Sequence, residues 1–220
     1  MLEIGTGTGW FPLLCKKKDC LRRLEISPQL IETARQLGQN YGIEVNIQQS
    51  YIEDTSIGKM KYDIIIAQPV FEHVKRWERG LQNVYDTLKS NGLLLFNASN
   101  KYSLRSPEFN FPLYGWLPDI CRYRVRQLGE GRNVMDWGID YNQFTHIQLR
   151  HFFKNLGFSA VYDWIDSLEP DKIPPEAPVT VFSVKARPLA EIIKKTSSKS
   201  GLIRELILCF FSNTNFICIK

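Results

Sequence analysis

Residues 1–9, Met-Leu-Glu-Ile-Gly-Thr-Gly-Thr-Gly, decide the fold. Leu2 and Ile4 flank an acidic Glu3, and glycine then falls on positions 5, 7 and 9. The pattern predicts a strand end that runs into a turn too tight for side chains. Such a turn lets backbone approach a ligand at the carboxyl edge of a parallel sheet. The expectation is a chain that begins inside a nucleotide-type binding site.

Outward from that stretch, strand-like and helix-like segments alternate as far as residue 100. Residues 10–18 read as a helix and 21–26 as a second strand. Ser27-Pro28 opens the next helix, serine as N-cap and proline in the first turn. Its apolar residues Leu30, Ile31, Ala34, Leu37 and Tyr41 recur at helical spacing. Residues 45–47 read as a third strand, 62–67 (YDIIIA) as a buried fourth, 74–88 as a helix and 92–96 (GLLLF) as a fifth strand. Short links between parallel strands and intervening helices describe a doubly wound α/β sheet, Rossmann-like, in one domain over 1–220.

Residues 99–142 break the alternation. They hold Ser, Asn, Pro and Gly beside many aromatics, and the aromatics need burial. An inserted substrate cap is the expectation. Arg122, Arg124 and Arg126 alternate as if on a strand. Thr145-His-Ile-Gln148 matches a capping box, Phe144 can staple onto Leu149, and Gly157 ends that helix. Residues 158–164 read as a strand and 170–178 as a proline-rich loop. Residues 189–220 read as a basic C-terminal helix, over 189–211, with a last strand over 215–219; residues 179–184 are the alternative for that strand.

Composition restricts the class. Five cysteines, an odd number with no Cys-x-x-Cys pair, argue against a disulfide framework and a zinc site, and suit a reducing, cytoplasmic compartment. No metal is expected. The core strand at the start leaves no place for a signal peptide. The segment 185–220 holds seven basic and two acidic residues, so it accounts for the whole net charge of +5. A basic apolar tail over 189–211 is compatible with peripheral contact to an anionic membrane face, although an ordinary solvated or sheet-packed helix is the favoured reading. A nucleic-acid enzyme would carry its basic surface around the active site instead.

Three ligands compete for the glycine turn. A phosphate loop needs Gly-Lys at its end, which is absent after Gly9. A dinucleotide fingerprint needs G-x-G-x-x-G, whereas here the spacing is G-x-G-x-G and Trp10 holds the third glycine position. S-adenosylmethionine has no pyrophosphate and needs only room for its methionine and ribose parts. Glu25, at the end of the second strand, supplies a carboxylate for both ribose hydroxyls, a charged hydrogen bond being worth about 1.5–3 kcal/mol.

With these residues in place, the chain resembles the class I S-adenosylmethionine-dependent methyltransferases, in the small-molecule branch that includes the ubiquinone-biosynthesis type. LEIGTGTGW, LEISPQLIETAR, KYDIIIAQPVFEHV, LKSNGLLLF and FTHIQLRHFFKNLGF carry the resemblance, in that order. It implies a mostly parallel seven-stranded sheet whose last strand runs antiparallel. It implies that Glu3, Gly5, Thr6, Gly7 and Gly9 line the methionine part, that Glu25 holds the ribose with Ile26 beside the adenine, and that Gln68 and Pro69 meet the sulfonium end. An acid usual after the third strand is replaced by Tyr51; Tyr51 or Ile52 would pack on the adenine ring and Glu53 would be exposed. The family also places residues before the first motif that this sequence lacks, so a fragment or a misplaced start is the expectation.

Methyl transfer from a sulfonium is an in-line displacement, and holding the partners in line supplies roughly 7–11 kcal/mol. A base is needed only where a hydroxyl must lose its proton. His73, just after the fourth strand, is the candidate base; a helix-start packing role is its competing reading. His146 and His151 read as structural. Tyr102 and Trp116 of the cap are the candidates for an acceptor pocket. The nucleic-acid and glutamine methylase motif after the fourth strand is absent, since Ala67-Gln68-Pro69-Val70 stands there. A small-molecule, sugar or lipid-linked acceptor with O-methylation is therefore expected. A cofactor-binding regulatory or scaffold protein without turnover, and a nicotinamide oxidoreductase, are the alternatives. Oligomeric state is not legible.

Overall fold

The computed structural model describes residues 1–7, 21–55, 57–106, 109–131, 141–166, 195, 201–211 and 213–220. Gly9, the helix expected over 10–18, the loop over 170–178 and the alternative strand 179–184 lie outside them. So does the expected C-terminal helix up to residue 200, apart from Lys195.

The described strands are β1 (Leu2–Ile4), β2 (Arg22–Glu25), β3 (Gln48–Gln49), β4 (Tyr62–Ala67), β5 (Leu88–Ser99), β6 (Ala160–Asp163) and β7 (Asn213–Ile219). They form one seven-stranded sheet in the order β3-β2-β1-β4-β5-β7-β6. Pairing is parallel from β3 through β5. β7 slots between β5 and β6 and runs antiparallel to both. The mostly parallel seven-stranded sheet and its antiparallel last strand are thus as expected. The described helices are α1 (Pro28–Asn40), α2 (Trp77–Thr87), α3 (Asp119–Glu130), α4 (His146–Leu156) and α5 (Gly201–Leu208).

Side-chain alternation along the central strands feeds two cores. Ile65, Ala67, Leu94, Phe96, Phe216 and Cys218 pack with α2 and α4 in the larger one. Ile66, Leu93, Leu95 and Ile217 face the other way into a smaller cluster. A strand buried on both faces reads as a continuous apolar run, which is why YDIIIA and GLLLF carry no polar alternation. Aromatic edges lock α4 to the sheet: Phe153 meets Phe96 at 5.1 Å and Phe216 at 5.4 Å between centroids.

Local signals explain most ends. The Ser27 hydroxyl accepts from the Leu30 N–H at 3.3 Å, and the Thr145 hydroxyl accepts from the Gln148 N–H at 3.1 Å. Gly157 closes α4 in the left-handed region, φ 101°. Two expectations need correction. The third strand lies at 48–49 rather than 45–47, because Val45 and Ile47 pack against Ile31 and Ala34 of α1 and the ladder to β2 begins only at Gln48. Arg122, Arg124 and Arg126 sit on α3, not on a strand. Helical geometry sends them to different faces: Arg122 is buried and pairs with Asp119 at 2.8 Å, while Arg126 pairs with Glu130 at 3.0 Å.

The described end of the C-terminal helix is tied down by charge. Asp163, buried at the end of β6, accepts from Arg150 of α4 and from Arg204 of α5, the latter at 2.6 Å. Glu205 meets His146 Nδ1 at 2.6 Å and Arg150 Nε at 2.9 Å. Burial alone would raise the Glu205 carboxyl, but the His146 hydrogen bond and the charges of Arg150 and Arg204 hold it below its ordinary value. Removing one member of such a network leaves buried charge uncompensated. Asp163→Ala is therefore expected to lower unfolding stability by about 3–5 kcal/mol in a urea titration; a loss within experimental error would show that the network does not hold α5.

Candidate active site

The cleft of interest opens at the carboxyl ends of β1, β2 and β4, where a doubly wound sheet places its ligands. Ile4, Gly5, Leu24 and Glu25 form one wall, Ser50 to Glu53 a second, and Val70, His73 and Val74 a third. Four sequence segments, around residues 4–5, 24–26, 50–53 and 70–74, thus converge on one space.

The glycine turn is shaped by sterics. Gly5 has φ +73°, and a Cβ there would lie 2.7 Å from Val70 Cγ2. No larger residue fits without moving the third wall. Gly7 has φ +55°, a backbone conformation that favours glycine, and among the described residues nothing lies within 4 Å of a Cβ there.

Glu25 organises this turn. One carboxylate oxygen accepts from the Gly7 N–H at 2.8 Å; the other accepts from the Ile26 and Ser27 N–H groups at 2.9 and 3.1 Å. The side chain is buried, yet it keeps acceptor capacity, since an ionised carboxyl offers about four lone-pair sites.

Beneath the turn, Glu3 is buried beside Arg23. Burial pushes its carboxyl up to about 7, and the nearby charge of Glu25 adds to the shift; Arg23, at 3.8 Å, and the Thr6 hydroxyl, donating at 3.3 Å, oppose it.

The structure brings Gly5, Glu25, Ile26, Tyr51, Ile52 and His73 together in the cleft. Ile52 is buried, whereas Tyr51 is 58% exposed at the mouth. Glu3, Thr6 and Gly7 belong to the turn and its floor, and Gln68 and Pro69 follow β4 as exposed residues. Tyr102 and Trp116 do not line the cleft; they pack edge to face at 5.2 Å, and Trp116 reaches Phe210 at 6.3 Å. The expected exposure of Glu53 is wrong: it is buried and lines the cleft. A short turn at 52–54 swings it inward, a change of direction that spacing alone does not signal. Val70 was missed as well, because an apolar residue in a turn carries no chemical signature.

Comparison with known proteins agrees with this geometry. Residues 2–96 match the family model described as a methyltransferase domain. Over residues 2–96 the chain is thus similar to methyltransferase domains. Among curated proteins, a malonyl-[acyl-carrier protein] O-methyltransferase of Calditerrivibrio nitroreducens is 31% identical over 105 residues, 48% of this chain and 40% of that one. A ubiquinone biosynthesis O-methyltransferase of Coxiella burnetii is 26% identical over 147 residues, 66% of this chain and 57% of that one. The chain thus spans roughly half the length of the curated relatives it matches. The solved structure of an S-adenosylmethionine-dependent methyltransferase from Mesorhizobium loti shares the fold, with TM-score 0.55 at 14% identity, over 100% of this chain and 90% of that one.

The Glu3 environment yields a pH prediction. A carboxyl whose pKa is higher in the folded state, about 7 against 4.5, costs stability once ionised. Wild-type stability relative to Glu3→Gln should therefore fall as pH rises from about 4.5 to about 7, by an amount on the order of 3 kcal/mol. Urea titrations of both proteins across that range check it, and parallel pH profiles would contradict it.

Proposed function

We propose that the chain transfers a methyl group from S-adenosylmethionine to a hydroxyl of a small-molecule, sugar or lipid-linked acceptor. The observation that carries this reading is the convergence of Glu25 and His73 on one cleft beside the Gly5 turn. The cofactor supplies an activated methyl on a sulfonium. The cleft fits it in three respects. Glu25 retains acceptor capacity for a ribose diol. Ile26 and Ile52, with Tyr51 at the mouth, present apolar surface for an adenine. Glu3, Gly5, Thr6 and Gly7 line the path of the methionine part, and Gln68 and Pro69 flank its sulfonium end; Gly9 lies outside the described residues.

Two residues gain a sharper role. Among the described residues, the Gly7 N–H is the donor to Glu25 that comes from outside its own segment, and a ribose diol would share the carboxylate with it. Glu53, rather than position 51, supplies a carboxylate acceptor for the adenine amine.

His73 would take the proton of the acceptor hydroxyl, and bound S-adenosylmethionine would supply the methyl group that replaces that proton on oxygen. The products would be a methyl ether, the demethylated cofactor and a proton held by the imidazole. The names of the two curated relatives favour oxygen as the methylated atom. Tyr102 lies three residues beyond the carboxyl end of β5, on the sheet edge that carries the cleft. In this reading the segment between β5 and α4 acts as the cap, and Tyr102 and Trp116 receive the apolar part of the acceptor.

A lipid-linked acceptor gains support from α5. Its inner side is fixed by Arg204, Glu205 and Leu208, whereas Leu202, Ile203, Leu206 and, just beyond it, Phe210 are exposed. This is the described part of the basic stretch 189–211, and it would rest on an anionic membrane face. Among the described residues no helix is long and apolar enough to cross a membrane.

Turnover tests the first reading. With S-adenosylmethionine and a panel of phenolic, sugar and lipid hydroxyls, wild type is expected to form S-adenosylhomocysteine. His73→Gln is expected to lose roughly 10²- to 10⁴-fold in kcat. Cofactor binding without product from any acceptor would favour the regulatory alternative. For the membrane contact, wild type should float with phosphatidylglycerol vesicles and Leu206→Asp/Phe210→Asp should not; equal flotation would end the idea.

A further inference from the structure

The turn that carries His73, Phe71–His73, is a single 3-10 turn with no side-chain cap of its own. Isolated, such a turn has little to define it. Here one residue from the far side of the inserted segment grips it. The Asn142 side-chain amide donates to the Phe71 carbonyl at 3.0 Å and to the Val74 carbonyl at 2.7 Å. The Asn142 backbone N–H donates to the Glu72 carbonyl at 3.0 Å. Three carbonyls within four residues are thus satisfied by one asparagine.

A second tie fixes the same turn from below. Glu72 is fully buried, and its carboxylate accepts from the Ser99 N–H at 2.5 Å, at the end of β5. The inserted segment leaves at Ser99 and returns at Asn142, and its two ends are closed on each other. The Lys101 N–H donates to the Phe144 carbonyl at 2.6 Å, and Asn100 forms a parallel bridge with Phe144. Both ends of this neck therefore hold the turn between them.

We propose that Asn142 is a positioning residue: it holds the Phe71–Val74 carbonyls so that His73 faces the cleft, and it couples that turn to the neck of the inserted segment. This rests on His73 as the base. Only asparagine or glutamine offers a neutral two-proton amide, and the short reach from Asn142 to two carbonyls suits asparagine. Aspartate at 142 would keep the size and set a carboxylate against both carbonyls.

The chain has three histidines. His146 and His151 lie on α4, so they report on the rest of the fold. With ¹³C-labelled histidine and saturating S-adenosylhomocysteine, Asn142→Ala and Asn142→Asp are expected to move or split the His73 ring cross-peak. The His146 and His151 peaks stay in place, and the Kd for S-adenosylhomocysteine changes by less than about tenfold. Movement of all three peaks, or of none, overturns the proposal. Should Asn142→Ala not fold, Asn142→Asp gives the same readout, with Asn142→Ser retaining one donor as the milder change. In methyl transfer to the best acceptor of the panel, kcat of Asn142→Ala should fall towards that of His73→Gln, and the double variant should lose no more than His73→Gln alone. Independent, additive losses overturn the coupling. If His73→Gln turns over like wild type, the base reading fails by itself, and the cross-peaks still decide whether Asn142 holds the turn.

Discussion

Three backbone N–H groups converge on the carboxylate of Glu25, and the site depends on that convergence. The Ile26 and Ser27 amides belong to the step from β2 into α1, and the Gly7 amide belongs to the turn after β1. One side chain therefore fixes the mouth of the cleft on two strands at once. Hydrogen bonds to an ionised acceptor are stronger than neutral ones. Inside the sheet edge that strength sets where Gly7 lies, two residues beyond the Gly5 that packs on Val70. The Gly5 turn is the other half of the constraint, since its positive φ and its contact with Val70 leave room for no side chain.

From this edge the architecture divides its labour. β1, β2 and β4 build the cleft through parallel pairing and the two-faced core. The segment after β5 is tied at its neck by Glu72 and Asn142. The ionic network around Asp163 closes the far end of the sheet and keeps α5 on α4 and β6. The three parts use different physics: backbone geometry at the turn, hydrogen-bonded carbonyls at the neck, and paired buried charge at α5.

Much of this was legible in the sequence where a local rule had no competitor. YDIIIA matches β4 residue for residue, because a run of isoleucines has one use at the centre of a parallel sheet. Ser27, Thr145 and Gly157 mark their helix ends through capping chemistry that acts over three residues. Legibility failed where tertiary contacts decide. Val45 and Ile47 look like a strand but serve as the packing surface for α1. The arginines at 122, 124 and 126 mimic strand alternation on what is a helix. Glu53 turns inward through a bend its own spacing does not announce. Asn142 was invisible as a site residue, since its partners are carbonyls seventy residues away.

Calorimetric titration of S-adenosylhomocysteine into the wild type and Glu25→Gln tests the central claim most directly. The account predicts saturable binding to the wild type and an affinity roughly 10- to 100-fold weaker for the folded variant, the worth of a hydrogen bond to a charged acceptor. Equal affinities, or a folded wild type that takes up none of the compound at millimolar concentration, would contradict it.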